Sequence, residues 1–350
     1  MIIVIGIDGL ILIRSVADWK SLPSTPMWVR SMGMKSVMSD SNATTYSQSA
    51  KAPHFGVMSA SDLGLYILMV FIWGTSWIAM TFQIEIVPPL VTGVYRFAIA
   101  TVAMMAWALF AKAPMRFGWR IHVRFLLLGM FIFSTNFVMF YYAASYMASG
   151  LMAVIFSLAS LINIVLTAIV FGQRPTPLAA LGSLMGFAGI ALIFWPEVSA
   201  STGNDGILTG LGLGLTGTLC FCIGNMVAAS NQKLQLPLIS TNAWGMLYGT
   251  LWMIFVATVT GTPFLIEWTW TYWSATIWLA IVASVIAFAG YLTLLKNIGA
   301  ARASYATVLF PIVALAISTI FEGYQWTLPG LIGLAAILGG NILVMRGKKS

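Results

Sequence analysis

One charged side chain, Arg96, stands inside a long apolar stretch of this sequence, seven residues after Pro89. A charge in the hydrocarbon core of a membrane costs several kcal/mol unless it is paired or hydrated. Arg96 is therefore the first functional candidate, as a group that attracts anions or binds the carboxylate of a substrate. The alternative is a structural role, in which the guanidinium bonds carbonyl oxygens at a helix break, or reaches the outer interface and fixes helix packing.

Asparagine and tyrosine side chains also fall within apolar stretches. An amide that faced lipid would lack hydrogen-bond partners, and a buried tyrosine hydroxyl needs one, so we expect these groups to face protein or a cavity. The candidates for contact with a substrate are Asn136, Tyr141, Asn163, Asn225, Tyr291 and Tyr305. Hydrogen bonding between helices, or ordinary packing, would equally explain any of them.

Trp73 and Trp77 are spaced four residues apart, so in a helix they share one face. Such an aromatic wall can hold apolar substrates by stacking and cationic ones by cation–π contact. Tryptophan in general anchors helices at the membrane interface. Because these two lie in the middle of an apolar stretch, substrate binding and structural anchoring both stay open for the pair.

Residues suited to catalysis or to holding a cofactor are scarce. His54 lies in the N-terminal segment and His122 in a predicted basic loop, and the sequence has no HExxH motif, phosphate-binding loop or intramembrane carboxylate pair. Cys220 and Cys222, two residues apart in an apolar run, suit neither a disulfide framework nor a paired CxxC metal site. We therefore expect no enzymatic activity, no cofactor, no metal and no ATP-driven transport by this chain alone.

The elements that must position these residues are membrane helices. Of the 350 residues, 60% are hydrophobic and 7% are charged, where a soluble domain carries about 25% charged residues. The apolar residues fall in blocks of about 20, long enough to cross a membrane as helices, and lack the strict alternation of barrel strands. The sequence predicts an all-α integral membrane protein with ten spans, at residues 64–83, 89–111, 124–144, 148–171, 177–195, 206–230, 238–260, 272–295, 302–321 and 327–345.

Charges in the connections test this count, because cytoplasmic loops are rich in Lys and Arg. If the first span starts inside, one set of alternate loops is basic and the other is acidic. The basic set holds Lys112, Arg116, Arg120, Arg124, Arg174, Lys233, Lys296 and Arg302, and the tail adds Arg346, Lys348 and Lys349. The acidic set holds Glu85, Glu197, Asp205, Glu267 and Glu322. Both termini are thus predicted to be cytoplasmic, and the net charge of +8 reflects orientation in the bilayer rather than nucleic-acid binding.

The chain also repeats itself at a spacing of about 151 residues. The stretch PLAALGSLMGFAGIALI in the first half aligns with LPGLIGLAAILGGNILV in the second, which pairs Gly182 with Gly333 and Gly189 with Gly340. Five spans per half is an odd number, so the halves must cross the membrane in opposite directions. Inverted repeats of this kind are typical of secondary transporters, whose substrate site lies between the halves near the midplane.

Residues 1–60 have a different character from the rest of the chain. Their short apolar run, MIIVIGIDGLILI, contains Asp8 and is too short to span a membrane, and polar residues follow it. We predict a disordered N-terminal extension, or alternatively a start codon assigned too early, with Met58 beginning the protein. The two repeats then occupy residues 61–197 and 204–346.

The sequence resembles the EamA-type transporters of the drug/metabolite transporter superfamily. LYILMVFIWGTSWIAM is similar to the family's first helix, VYRFAIA to its arginine-bearing second helix, and NFVMFYYAASYMASGLMAVIFSLASLINIVLTAIVFGQRPT to its most recognisable segment. The resemblance covers about residues 60–346 and implies two inverted five-helix repeats, alternating access around a central cavity, and export of metabolites, amino acids or toxic compounds. Relatives often carry a glutamate at Gln173 and a proline at Ser160, so any proton coupling through that glutamate is in doubt here.

We therefore expect a secondary transporter that exports a small metabolite, amino acid or drug-like compound across a bacterial cytoplasmic membrane. The alternatives are a flippase for a lipid-linked substrate, a non-transporting membrane scaffold and an intramembrane enzyme. The expected partners are the small-molecule substrate and the lipid bilayer, with no nucleic acid, and the expected assembly is a monomer or homodimer. Glu322, near a membrane face, is the candidate proton carrier.

Overall fold

A computed structural model describes residues 2–6, 9–13, 59–172, 175–200, 206–298 and 306–347 of the chain. It divides the chain into two units, Met1–Gly56 and Val57–Ser350. In the first unit, strands β1 (Ile2–Gly6) and β2 (Gly9–Ile13) pair antiparallel, with Ile2 opposite Ile13. The N-terminal apolar run thus forms a short hairpin. The disordered extension was predicted over residues 1–60, which include this hairpin, and residues 14–58 of it lie outside the described residues.

The second unit is helical in its described residues, apart from short connections. Two of its helices, α3 and α8, contain a π-helical segment, and α4 is interrupted at Leu158. The helices are α1 (Ala60–Thr81), α2 (Pro89–Phe110), α3 (Trp119–Met130, π-helical Phe131–Thr135, Asn136–Ala143), α4 (Ser149–Ser157 and Ala159–Phe171), α5 (Pro177–Ala200), α6 (Ile207–Lys233), α7 (Leu238–Val259), α8 (Trp270–Ile277, π-helical Trp278–Ile286, Ala287–Ile298), α9 (Ala306–Phe321) and α10 (Leu328–Gly347).

The ten predicted spans are confirmed within the described residues. Seven helices are long and apolar enough to cross a membrane, and three shorter apolar ones lie in α8, α9 and α10. The predicted start of the third span at residue 124 was wrong, because α3 already begins at Trp119. His122 and Arg124, predicted in a loop, therefore belong to the first turns of a helix. Basic side chains extend along a helix end into the interface, so their charge does not exclude helical structure there.

Local sequence explains where several helices begin. The Thr176 hydroxyl accepts a hydrogen bond from the backbone N–H of Ala179 at the start of α5, at 3.2 Å. Thr327 does the same for Gly330 at the start of α10, at 3.1 Å. A threonine in this position satisfies one of the free N–H groups of the first helical turn. The two caps lie at equivalent positions of the sequence repeat, so the repeat extends to the structural detail of its helix ends.

Helices of the two repeats pair with one another. α5 packs along α10 and α2 packs along α7, so each of these pairs joins equivalent helices of the two halves. α1 of the first repeat packs on α9 of the second. The corresponding helices of the opposite repeats, α6 of the second and α4 of the first, are also in contact. Such reciprocal pairing of helices is expected of two inverted repeats. α2 of the first repeat also packs against α8 of the second, mainly at its π-helical segment.

Candidate functional site

Arg96 is buried between the repeats, with 3% of its surface exposed. The centre of its guanidinium lies 4.4 Å from the centroid of the Phe137 ring on α3 and 5.2 Å from that of Phe97. Nη2 donates to the hydroxyl of Ser284 on α8 at 3.4 Å, whereas Nε and Nη1 have no partner among the described residues. The charge is therefore held against an aromatic face, with hydrogen-bond donors left free.

A chain of hydrogen bonds begins beside Arg96. Its guanidinium interacts electrostatically with the hydroxyl of Tyr141 on α3, which donates to Oε1 of Gln83 at 2.9 Å. Nε2 of Gln83 donates in turn to the hydroxyl of Thr276 on α8, at 2.5 Å. Gln83, Tyr141 and Thr276 are all fully buried. Since Thr276 belongs to the second repeat, the chain of bonds crosses from one repeat to the other.

Two further residues extend this arrangement. The Thr92 hydroxyl donates to the backbone carbonyl of Gln83 at 3.2 Å, and the Tyr272 hydroxyl donates to Thr92 at 3.3 Å. The resulting polar cluster consists of Gln83, Thr92, Arg96, Tyr141, Tyr272, Thr276 and Ser284. It joins the α1–α2 connection, α2 and α3 of the first repeat to α8 of the second. In lipid, such groups need internal partners, so the cluster ties the repeats together at this position.

Helical spacing explains how the cluster is assembled. Thr92 and Arg96 are four residues apart on α2, and Tyr272 and Thr276 are four residues apart on α8, so each pair shares one helix face. Ser284 lies in the π-helical segment of α8, where its hydroxyl donates to the carbonyl of Leu279, five residues earlier, at 2.8 Å. π-helical segments are rare and are found frequently at functional sites.

The two tryptophans proposed as an aromatic wall lie outside the polar cluster. Trp77 is buried, with its ring centroid 5.0 Å from Phe140 and 5.5 Å from Phe156, in a core to which helices of both repeats contribute. Trp73 is half-buried, and its ring lies 5.5 Å from Tyr291 on α8. Trp73 and Trp77 therefore do not form the single aromatic wall that the sequence predicted. Trp77 packs the core, and Trp73 contacts another candidate residue, Tyr291.

The predicted asparagine sites lie on three different helices. Asn136 on α3 is 1% exposed, and neither atom of its amide has a partner among the described residues. The Oδ1 atom of Asn163 on α4 is also buried without a partner there, and Asn225 on α6 is half-buried. Asn136 and Asn163 thus retain the capacity to bind a polar ligand. Tyr305 lies outside the described residues.

Sequence analysis found two members of the cluster, Arg96 and Tyr141, and missed the other five. Gln83 is the last residue of the first predicted span, where a polar side chain is unremarkable. Serine and threonine hydroxyls in helices commonly bond their own backbone, as Thr276 does to Tyr272, so they carry no signal of a site. The four-residue spacings of Thr92 with Arg96 and of Tyr272 with Thr276 are the sequence features that could have indicated the site.

A second contact between the repeats involves Glu322, which follows α9. Its carboxylate oxygens accept from the backbone N–H of Ser149 at 3.0 and 3.1 Å, and also from the Ser149 hydroxyl. Ser149 is the first residue of α4 and is fully buried. A carboxylate at a helix N-terminus is stabilised by free N–H groups and by the helix dipole. Glu322 therefore holds α4 of the first repeat against the end of α9 in the second.

Comparison with known sequences finds similarity over both repeats. The model of the EamA-like transporter family matches twice, at residues 61–195 and 208–346. An uncharacterized transporter of Archaeoglobus fulgidus is 24% identical over 80% of this chain and 96% of its own length. The uncharacterized inner membrane transporter YedA of Escherichia coli is 25% identical, covering 85% of this chain and 92% of its own. Protein PagO of Salmonella typhimurium is 21% identical, covering 80% and 91%.

Comparison with solved structures supports the same architecture. One crystal structure superposes with a TM-score of 0.58 over 84% of this chain and 100% of its own, at 17% sequence identity. At that level of identity the similarity shows the fold alone.

Proposed function

The chain belongs to the EamA-like transporter family, and on that premise we propose that it exports a small organic molecule from the cytoplasm by alternating access. The two repeats would rock against each other, and the polar cluster would face each side of the membrane in turn. Both termini would lie in the cytoplasm, as the charge distribution of the connections predicts. Glu322 and Ser149 then lie at the outer end of the bundle.

The observation that carries this proposal is the composition of the polar cluster. Its buried hydrogen bonds join residues of both repeats, such as Gln83 and Tyr141 in the first and Thr276 in the second. A group of polar side chains held between two moving bodies is rearranged whenever those bodies move. A substrate bound there would therefore be exposed differently in each conformation, which is the requirement for coupling binding to transport.

The two π-helical segments support the proposed motion. Phe131–Thr135 in α3 corresponds, at the repeat spacing of about 151 residues, to the end of Trp278–Ile286 in α8. A π-helical turn interrupts the regular hydrogen-bond ladder and allows a helix to bend there. A matching interruption in each repeat gives both halves a hinge beside the polar cluster.

Efflux from cells that express the full chain tests the proposal, with the medium analysed by mass spectrometry. Thr276→Val and Thr258→Val form a matched pair, because both hydroxyls bond a backbone carbonyl four residues back, at 2.8 Å. Only Thr276 also accepts from Gln83, whereas Thr258 is exposed on α7. We expect Thr276→Val to lower efflux about five-fold or more and Thr258→Val to leave it unchanged.

Two outcomes would count against the proposal. Equal efflux by both variants would show that the polar cluster does not take part in transport. If no compound accumulates in the medium at matched membrane abundance, export is wrong and import, lipid flipping or a scaffold role replaces it.

The positions of the carboxylates bear on the proposed energy source. None of the nine Asp and Glu residues falls in the interior of a described helix. We therefore favour exchange or the substrate's own gradient over proton coupling. A proton ionophore should leave efflux from preloaded vesicles unchanged, and a loss of efflux would point to Glu322 as the proton carrier.

A further inference from the structure

We propose that Arg96 binds the acidic group of the substrate, so that this protein carries small organic acids with an apolar or aromatic body. The inference rests on the proposed transport function and names the substrate class for the same site. The first observation is that no neighbouring carboxylate among the described residues balances the charge of Arg96. Arg96 is 3% exposed, and no described carboxylate forms an ion pair with it.

The described part of the chain offers Arg96 no counter-ion within the membrane. Of the nine acidic residues, three precede residue 59. Of the other six, Asp62, Glu85, Glu197, Glu267 and Glu322 lie in connections or in the terminal turns of helices, and Asp205 lies outside the described residues. A buried cation without a partner is strongly unfavourable, and proteins retain such groups at sites that bind ions or substrates. The missing negative charge would be supplied by the ligand.

The free donors of Arg96 suit an acid rather than another polar group. A guanidinium carries five N–H donors in a plane, and pairs of them bind the two oxygens of a carboxylate or phosphate in parallel. Here Nη2 makes a long bond of 3.4 Å to Ser284, and Nε and Nη1 make none. Apart from the interaction with the Tyr141 hydroxyl, donors on all three nitrogens are therefore available without breaking a strong existing bond.

The surroundings of the guanidinium define the body of the substrate. The Phe137 ring centroid lies 4.4 Å from the guanidinium, and Phe137 and Phe97 form an aromatic pair with centroids 5.0 Å apart. Beyond the donors, an acid bound at Arg96 would meet aromatic faces. Stacking there favours an apolar or aromatic body over a second negative charge.

The competing explanation is that Arg96 is purely structural. In that case its cation–π contacts and the bond to Ser284 suffice, and no anion is bound. Three compounds that share a phenyl ring separate the two explanations, because they differ in charge: phenylacetate, phenylacetamide and 2-phenylethylamine. Binding is measured as the concentration-dependent rise in thermal unfolding temperature of the purified full chain in detergent.

Four proteins are compared in this assay. They are the unmutated chain, Arg96→Gln, Arg96→Lys, and Arg120→Gln as a control for loss of an arginine at an exposed position. We expect phenylacetate to bind the unmutated chain about ten-fold or more tightly than the amide or the amine. Arg96→Gln should abolish that preference, Arg96→Lys should retain part of it, and Arg120→Gln should leave it intact. Arg96→Lys also serves as the informative variant if Arg96→Gln does not fold.

The inference is overturned if phenylacetate binds no better than its amide, or if Arg96→Gln keeps the preference for the acid. Flux measured in vesicles separates this result from the transport proposal. Acid binding without flux would sustain the inference and contradict transport. Saturable efflux from cells together with no preference for the acid would sustain transport and contradict the substrate class.

Discussion

A Cβ atom on Gly189 of α5 would lie 2.5 Å from the carbonyl oxygen of Gly333 on α10, and one on Gly333 would lie 2.5 Å from the carbonyl oxygen of Gly189. Gly182 and Gly340 face each other in the same reciprocal manner. The sequence repeat relates Gly189 to Gly340 and Gly182 to Gly333. The contact between Gly189 and Gly333 is therefore equivalent, by the repeat, to the contact between Gly340 and Gly182. Glycine permits this approach of two helix backbones, which is a common way to associate helices in lipid.

Gly189→Ala should destabilise the protein, because a methyl group at this position meets backbone that cannot move away. Overpacking of this kind costs about 1–3 kcal/mol. Gly212→Ala on α6 is the control, since nothing lies within 4 Å of a Cβ atom there. Thermal unfolding in detergent measures both variants. An equal unfolding temperature for the two would mean that α5 and α10 separate easily.

Glu322→Ala should loosen the end of the bundle at which α4 meets α9. The substitution leaves the N–H and hydroxyl of the buried Ser149 without their partner, which costs about 1–3 kcal/mol. Glu85→Ala, an exposed glutamate in the α1–α2 connection, is the matched control. Thermal unfolding in detergent measures the stability of both variants. Unchanged values for Glu322→Ala would show that the contact contributes nothing.

Tyr141→Phe should impair transport while keeping the ring in place. It removes the hydroxyl that donates to Oε1 of Gln83 at 2.9 Å and leaves that side-chain oxygen buried without this partner. We expect kcat/KM to fall about ten-fold. The adjacent Tyr142 is 36% exposed, so Tyr142→Phe should transport normally. Uptake or efflux in vesicles compares the two, and equal rates would exclude Tyr141 from the substrate path.

Trp77→Ala should act on stability rather than on substrate recognition. Its ring packs between Phe140 and Phe156 in the core, and deleting a buried aromatic ring costs about 3–5 kcal/mol. Trp195→Ala is the control, because 68% of that side chain is exposed. A Trp77→Phe variant that keeps the fold should transport with an unchanged KM. A raised KM in a stably folded variant would restore the role in substrate binding predicted from the sequence.

Part of this architecture could be predicted because its causes are local. Runs of apolar residues determine the spans, and threonines such as Thr176 and Thr327 cap helices through bonds to residues three positions away. The π-helical segments could not be predicted in this way. They depend on how a helix fits its neighbours, and no residue type in Phe131–Thr135 is specific to a π-helix. His122 was misplaced for a related reason, since basic residues at a membrane surface occur both in loops and at helix ends.

The sequence by itself determined that this is a membrane protein of ten helices in two inverted repeats, because hydrophobic length, loop charge and a repeat spacing are properties of the linear chain. It also singled out Arg96, since a charge within an apolar stretch is costly wherever the helix packs. Only the tertiary structure decided which residues surround that charge. Gln83, Thr276 and Ser284 have ordinary local surroundings and gain their partners from the other repeat, up to 193 residues away. Contacts over such separations depend on helix packing, which no local pattern encodes.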